Sequence, residues 1–144
     1  MRIVIIGTGY VGLVSGACFS EFGAEVVCID KNKEKINEIK GGIIPIFEPG
    51  LEALIEKNVS ANRLSFSTEI STHVKDATAV FIAVGTPSRR GDGHADLSYV
   101  YAAVEEVAEY LSGYTVVVTK STVPVGTGHE VEKIIRRVSP NANC

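Results

Sequence analysis

The stretch Gly7-Thr8-Gly9-Tyr10-Val11-Gly12 carries three glycines in the pattern G-x-G-x-x-G. It follows an apolar run, residues 2–6, and precedes residues 10–22, in which Val11, Val14, Ala17 and Cys18 recur at helical intervals and are expected to form the inward face of a helix. Between a strand and a helix, the first glycine allows a tight turn, the second lets a pyrophosphate approach the backbone, and the third lets helix and strand pack closely. Unpaired N–H groups at the helix start would bind the phosphates. A glycine-rich turn without a ligand is the alternative, but the flanking strand and helix favour a dinucleotide site.

An acidic residue ends the second predicted strand, residues 25–30. This residue, Asp30, lies 18 positions beyond Gly12. A carboxylate at this place accepts hydrogen bonds from the adenosine ribose and repels a 2′-phosphate, so it favours NAD over NADP. Asp30 could also cap the helix predicted over residues 31–40, and the two roles are compatible. Lys35 could lean toward the same ribose, or it could belong to a solvated face rich in lysine.

Strands and helices alternate along the rest of the chain. Further strands are predicted over residues 64–67, 79–84 and 115–119, and further helices over 51–57, 69–75, a segment that Asp96 caps, and 127–138, where Thr127 to Glu130 has the spacing of a capping box. This alternation indicates right-handed β-α-β units. The expected fold class is α/β, a Rossmann-type, doubly wound, mostly parallel sheet with helices on both faces.

Two loops follow the predicted fourth and fifth strands, at Gly85-Thr86-Pro87 and at residues 120–124. Ligands of doubly wound sheets lie across this carboxyl edge. Thr86 and Thr122 are therefore candidates to contact the nicotinamide half of the coenzyme or a nearby water. Threonine hydroxyls also commonly satisfy loop backbone, which is the alternative. The Arg89-Arg90 pair could meet a phosphate, although basic loop tips are commonly just solvated.

The composition excludes several classes of protein. The chain has 144 residues and 15.4 kDa, which suits one domain, and its 45% hydrophobic content with a mean hydropathy of +0.19 is too apolar for disorder. A formal net charge of −3 argues against a nucleic-acid partner. No apolar run reaches about 18 residues, so no membrane partner is expected. The apolar start resembles a secretion signal, but the glycines of the turn interrupt it.

The cysteines and histidines carry no recognisable chemistry. No C-x-x-C unit or zinc spacing occurs, so we expect reduced thiols, a cytoplasmic location and no metal site. Two of the cysteines fall on predicted packing faces and are expected to act as small apolar residues. No nucleophile has a base beside it. The residues in question are Cys18, Cys28, Cys144, His73, His94 and His129.

Taken together, these features resemble the N-terminal coenzyme domain of the nucleotide-sugar dehydrogenase family, whose branches act on UDP-glucose, GDP-mannose or UDP-N-acetylmannosamine. The resemblance covers nearly the whole chain, and the last of its motifs is more similar to the UDP-glucose branch. The motifs are, in order, Gly7 to Gly12, Asp30 with Lys35, Pro45 with Glu48-Pro49-Gly50-Leu51, Val84-Gly85-Thr86-Pro87, Asp92-Gly93 with Ala95-Asp96-Leu97, and residues 120–127.

The resemblance implies a reaction and a set of site residues. The sugar C6 alcohol is oxidised to a carboxylate with two NAD and one water, through a cysteine thioester. Thr122 would position the catalytic water in a supporting role, and UDP-glucose would be the substrate of a homodimeric full-length protein. The implied NAD-binding residues are Gly7, Gly9, Tyr10, Val11, Gly12, Asp30, Lys35, Gly85, Thr86 and Thr122.

Family members are much longer, with two Rossmann-like domains joined by a central helix. We therefore expect residues 1–144 to be the NAD-binding domain, truncated before its last strand or strands, without the central helix, the UDP-sugar domain and the catalytic cysteine. Alone, it should bind NAD, be inactive and be monomeric. The alternatives are a domain of the GDP-mannose or UDP-N-acetylmannosamine enzymes, a stand-alone nucleotide-sensing module, and a methyltransferase, which can also place a glycine loop and an acid beside its cofactor.

Overall fold

The computed structural model describes residues 1–89, 91 and 93–144. Within these residues the chain forms five strands and six helices. The strands are β1 (Arg2–Ile6), β2 (Glu25–Ile29), β3 (Leu64–Ser67), β4 (Ala79–Ile82) and β5 (Val116–Thr119). The helices are α1 (Tyr10–Glu21), α2 (Lys33–Lys40), α3 (Leu51–Ser60), α4 (Ser71–Val74), α5 (Ser98–Ala108) and α6 (Thr127–Val138).

The strands form one parallel sheet in the order β3-β2-β1-β4-β5. Val4, in the middle of β1, pairs with Val27 on one side and with Val80 on the other. The chain thus moves outward from β1 to β3 and then returns to the other side of β1. The strand order reverses between β1 and β4, which is where doubly wound folds bind their ligands.

Hydrophobic cores cover both faces of the sheet. On one face α1, α2 and α3 bury Leu13, Ile36 and Ile55. On the other, α5 and α6 bury Val104 and Ile135. Strands covered on both sides need continuous apolar runs, and this explains why β1 reads Ile-Val-Ile-Ile after Arg2. The predicted fold class is confirmed.

The start of α2 differs from the prediction by two residues. The side-chain oxygen of Asn32 accepts a hydrogen bond from Lys35 N at 3.0 Å, so Asn32 is the N-cap and the helix begins at Lys33. Asp30 in turn accepts a hydrogen bond from Asn32 N at 3.0 Å. A similar bond precedes α5, where the Asp96 carboxylate accepts from Ser98 N at 3.0 Å, although the helix begins one residue later than a cap at Asp96 implies.

The predicted capping box at the start of α6 is wrong. Gly126 is the N-cap and has a left-handed φ of 92°. The Thr127 hydroxyl donates to the carbonyl of Pro124 at 2.7 Å, and Glu130 forms an ion pair with Lys133 at 2.7 Å. The tight turn at Gly126 therefore replaces the reciprocal side-chain bonds of a capping box.

The packing face of α1 differs from the expected one at its amino end. Val11 was expected to face inward but is 41% exposed, whereas Leu13 is buried. Beyond α6, a parallel bridge joins Tyr114 to Asn143 next to β5, with Thr115 N donating to the Asn143 carbonyl at 2.9 Å.

None of the helices described is long and apolar enough to cross a membrane.

Candidate coenzyme site

The glycine turn joins β1 to α1, and its first and third glycines are fixed by packing. Gly7 has a φ of +110°, and a Cβ there would lie 2.5 Å from the carbonyl oxygen of Ala83. A Cβ at Gly12 would lie 2.0 Å from the carbonyl oxygen of Gly7. By contrast, a Cβ at Gly9 would meet no described atom within 4 Å. The open side of the turn is therefore at Gly9, where a ligand could approach the backbone.

The first turn of α1 is suited to an anion. Gly9 is its N-cap, and in the described part of the chain no side chain caps it and no acidic residue lies in its first turn. The first N–H groups of a helix have no intrahelical partner and carry a partial positive charge. Tyr10 and Val11 are exposed on this turn, and Gly12 is buried beneath it. The Tyr10 hydroxyl donates to Glu48 Oε2 at 2.7 Å, and this bond raises the pKa of Tyr10.

Asp30 lies beside the glycine turn. Its Oδ2 accepts hydrogen bonds from the Thr8 hydroxyl at 2.7 Å and from Thr8 N at 3.1 Å, and it lies 3.5 Å from Lys35 Nζ. Partial burial opposes ionisation of this carboxyl. The hydrogen bonds from Thr8 and Asn32 and the charge of Lys35 together outweigh that effect, so the pKa of Asp30 lies below its ordinary value. Asp30 is therefore a fixed anion that also holds the turn.

A cleft of about 610 Å³ opens over the carboxyl ends of β1, β2 and β4. Five of the predicted site residues line it: Gly7, Gly9, Asp30, Lys35 and Gly85. Lining residues that the sequence did not reveal include Lys31, Asn32, Tyr99 and Glu106. The last two belong to α5, and no local sequence signal places that helix against the loop after β2.

The two candidate threonines lie in the loops that follow β4 and β5. Thr86 is half-buried, Thr122 is exposed, and neither is among the residues that line the cleft. The loop before Thr122 is fixed to the end of β4, because the Ser121 hydroxyl donates to the Val84 carbonyl at 2.7 Å. Arg89 is exposed, whereas Arg90 of the basic pair and Asp92 of the family motif lie outside the described residues.

The described residues contain no group of three or more His, Cys, Asp and Glu side chains that could hold a metal ion. All three cysteines are free. Burial raises the pKa of the Cys28 thiol to about 12, so this residue is an apolar core side chain and not a thiolate. Cys18 is partly buried on α1, and Cys144 is exposed.

The residues present fit a dinucleotide. A dinucleotide needs a close backbone approach for its pyrophosphate and a carboxylate for its ribose. The open side of Gly9 with the uncapped helix start supplies the first, and the ionised Asp30 at the cleft wall supplies the second. An arginine placed to bind the 2′-phosphate would be expected instead of the ribose carboxylate if the ligand were NADP.

Comparisons with known proteins agree with this geometry. Residues 1–143 match the UDP-glucose/GDP-mannose dehydrogenase family, NAD binding domain. The chain is 64% identical to the UDP-glucose 6-dehydrogenase of Rhizobium meliloti (strain 1021) and 52% identical to the UDP-glucose 6-dehydrogenase TuaD of Bacillus subtilis (strain 168). These alignments cover 99% and 96% of this chain but 33% and 30% of the relatives.

A solved structure gives the same result. The GDP-mannose dehydrogenase of Pseudomonas aeruginosa, in a ternary complex, superimposes with a TM-score of 0.93 at 40% identity, over 99% of this chain and 33% of that one. The chain thus spans about a third of the length of the relatives it matches. It belongs to the UDP-glucose/GDP-mannose dehydrogenase family and is an NAD-binding domain of that family.

Proposed function

We propose that this chain is the NAD-binding domain of a UDP-glucose 6-dehydrogenase and that, alone, it binds NAD without oxidising the sugar. The observation that carries the proposal is the ionised Asp30 on the wall of the cleft, beside the open side of Gly9. The choice of UDP-glucose rests on the 64% identity to the Rhizobium meliloti enzyme. GDP-mannose and UDP-N-acetylmannosamine are the alternative substrates.

We assign the following roles to the site residues. The backbone from Gly7 to Gly12 and the start of α1 bind the pyrophosphate, with Tyr10 and Val11 exposed on that turn. Asp30 accepts hydrogen bonds from the adenosine ribose, and Lys35 orients Asp30 through their 3.5 Å ion pair. Gly85 lines the same cleft, and we assign it to the nicotinamide half.

The bound NAD would supply a hydride acceptor. Thr86 and Thr122 follow neighbouring strands, β4 and β5, at the carboxyl edge of the sheet, so their hydroxyls can contact the nicotinamide half. Thr122 is exposed and would position the catalytic water. The proposed thioester needs a nucleophilic cysteine, which we assign to a further part of the protein, because none of Cys18, Cys28 and Cys144 is among the described residues that line the cleft.

We propose that residues 1–144 are followed in the complete enzyme by a central helix and a UDP-sugar domain, and this is supported by the coverage of about a third of each relative. Free cysteines support a reducing, cytoplasmic setting. That the whole enzyme is a homodimer rests on the family resemblance.

Calorimetric titration with NAD and NADP tests the coenzyme assignment. We expect NAD to bind and NADP to bind more weakly, because Asp30 repels a 2′-phosphate. Tighter binding of NADP, or no binding of NAD, would contradict the proposal. Incubating the chain with NAD and UDP-glucose and following NADH absorbance tests the second claim, and steady turnover would show that the nucleophile is present after all.

A further inference from the structure

Lys31 and Glu106 form an ion pair at the adenosine end of the cleft. Lys31 Nζ lies 2.5 Å from Glu106 Oε2, and both residues line the cleft. Lys31 comes directly after Asp30 in the loop that follows β2, whereas Glu106 belongs to α5. The pair therefore joins two elements that are far apart in the sequence, beside the carboxylate that we assign to the ribose.

The charges that line the cleft are balanced in two pairs. Among the described lining residues, the ionised side chains are Asp30, Lys31, Lys35 and Glu106. Lys35 is 3.5 Å from Asp30, and Lys31 is 2.5 Å from Glu106. Each lysine that could receive a phosphate at this end of the cleft thus already has a carboxylate partner.

This pairing bears on the choice of dinucleotide. NADP differs from NAD by a phosphate on the adenosine ribose, and a lysine beside the ribose carboxylate is well placed to bind it. Lys31 has a flexible four-carbon side chain that begins one residue from Asp30, and it is 73% exposed. Without Glu106, its ammonium could turn toward a 2′-phosphate. The stability gained from such an exposed pair is small, so its effect should be on selectivity.

We infer that Glu106 is a coenzyme-specificity residue that excludes NADP by holding Lys31 away from the ribose, in addition to the repulsion by Asp30. The inference rests on the proposed NAD site. Glu106 is a positioning residue, because it acts through Lys31. The neighbouring Glu109, also on the α5 side of the molecule, is exposed and does not line the cleft.

A double-mutant cycle of Glu106 and Lys31, measured by equilibrium binding, tests the inference. Dissociation constants for NAD and for NADP are measured by calorimetry or by NMR titration for the wild-type chain, Glu106→Gln, Lys31→Met, and the double variant. Glu109→Gln is the matched control, since it removes the same charge from the end of α5 without touching the cleft. Thermal unfolding of each variant shows that all are folded.

We expect Glu106→Gln to tighten NADP binding by roughly three- to tenfold and to change NAD binding by less than about twofold. The double variant, which adds Lys31→Met, should lose this gain in NADP affinity, and Glu109→Gln should show no gain. The inference would be overturned, with the NAD site left intact, if Glu106→Gln did not tighten NADP binding or if the double variant bound NADP as tightly as Glu106→Gln. Failure of the wild-type chain to bind NAD would instead refute the proposed function, and the inference with it.

Discussion

Gly9 and Gly12 are the second and third glycines of the sequence motif, and they differ in what a methyl group would meet. A Cβ at Gly12 would lie 2.0 Å from the carbonyl oxygen of Gly7, a backbone atom that cannot move aside, whereas a Cβ at Gly9 meets no described atom within 4 Å. We expect Gly12→Ala to destabilise the fold by about 1–3 kcal/mol or more, because helix and turn must separate. Urea unfolding measures this, and a loss below about 1 kcal/mol would contradict the packing role.

Gly9→Ala is expected to behave in the opposite way. The φ of Gly9 is −77°, which alanine adopts without strain. Stability should change by no more than about 0.5 kcal/mol, while NAD affinity should fall about tenfold or more because the methyl group occupies the open side of the turn. Calorimetry on the folded variant separates the two effects. Unchanged affinity would show that the pyrophosphate does not approach at Gly9.

Asp30→Asn should weaken NAD binding by about 1–3 kcal/mol, since it replaces a charged acceptor of ribose hydrogen bonds by a neutral amide. Titration calorimetry with NAD measures the loss. The structure adds a control: Thr8→Val removes the hydroxyl that donates to Asp30 at 2.7 Å but keeps the carboxylate. If Asp30 served only to hold the turn, Thr8→Val would cost as much NAD affinity as Asp30→Asn.

The lowered pKa of Asp30 makes part of the stability depend on pH. An unfolded Asp titrates near about 3.9, and the folded group titrates lower, so the unfolded state binds more protons between the two values. The stabilisation is present above the unfolded pKa and is lost as pH falls through the folded one. We therefore expect the difference in the free energy of unfolding between wild type and Asp30→Asn, measured with urea, to become smaller from about pH 5 to pH 3. A constant gap would show that the carboxyl is not stabilised as an anion.

Among single residues, the sequence pointed to those that belong to a local motif. The glycine turn follows β1 and Asp30 follows β2, so short-range spacing is enough to place these residues at the carboxyl edge of the sheet. Lys31 and Glu106 escaped notice because their pairing depends on how α5 packs beside the loop after β2, which no short window records. The NAD contacts of all the predicted site residues, Thr86 and Thr122 among them, stay predictions.

Among the elements, the existence of helices and strands was predicted better than their ends. The amino end of α6 shows why. The residue types from Thr127 to Glu130 have capping-box spacing, but the chain enters the helix through a left-handed Gly126, which places Thr127 inside the helix. Its hydroxyl then reaches back to Pro124. A backbone conformation allowed by one glycine thus overrode the side-chain pattern.

A left-handed Gly126 and a capping box from Thr127 to Glu130 predict different effects of mutations at the start of α6. Gly126→Ala should cost about 1 kcal/mol or more, because its φ of 92° is strained for any residue with a Cβ. Glu130→Gln should change stability by less than about 0.5 kcal/mol, since it breaks only an exposed ion pair with Lys133. Thermal or urea unfolding of both variants decides between them. If Glu130→Gln lost more stability than Gly126→Ala, the capping box would be supported instead.

The same limit applies to α1. Apolar spacing predicted the helix correctly but counted Val11, which is exposed, on its inward face and missed the buried Leu13. The helix is apolar nearly all round, so its sequence alone gives little preference for one side. Its orientation is set by the close approach of Gly12 to the turn and of Gly16 to Cys28, where a Cβ would lie 2.5 Å from the sulfur.

For the whole molecule, the sheet order obeys the general rules of chain connection. Right-handed crossovers and buried apolar strands require helices on both faces, and the order β3-β2-β1-β4-β5 places the reversal beside the glycine turn. The cleft consequently has one wall on the loop after β2 and another on α5. A ligand that spans it contacts both halves of the sheet.

Such a ligand should stabilise the entire fold by mass action. At about 100 times its dissociation constant, NAD should raise the free energy of unfolding by about 2.7 kcal/mol, which for a chain of this size raises Tm by roughly 5–11 °C. Differential scanning calorimetry at several NAD concentrations measures the shift. UDP-glucose at millimolar concentration should give none, because we assign its binding mainly to a further domain. A shift with UDP-glucose and none with NAD would reverse the assignment of this cleft from coenzyme to substrate.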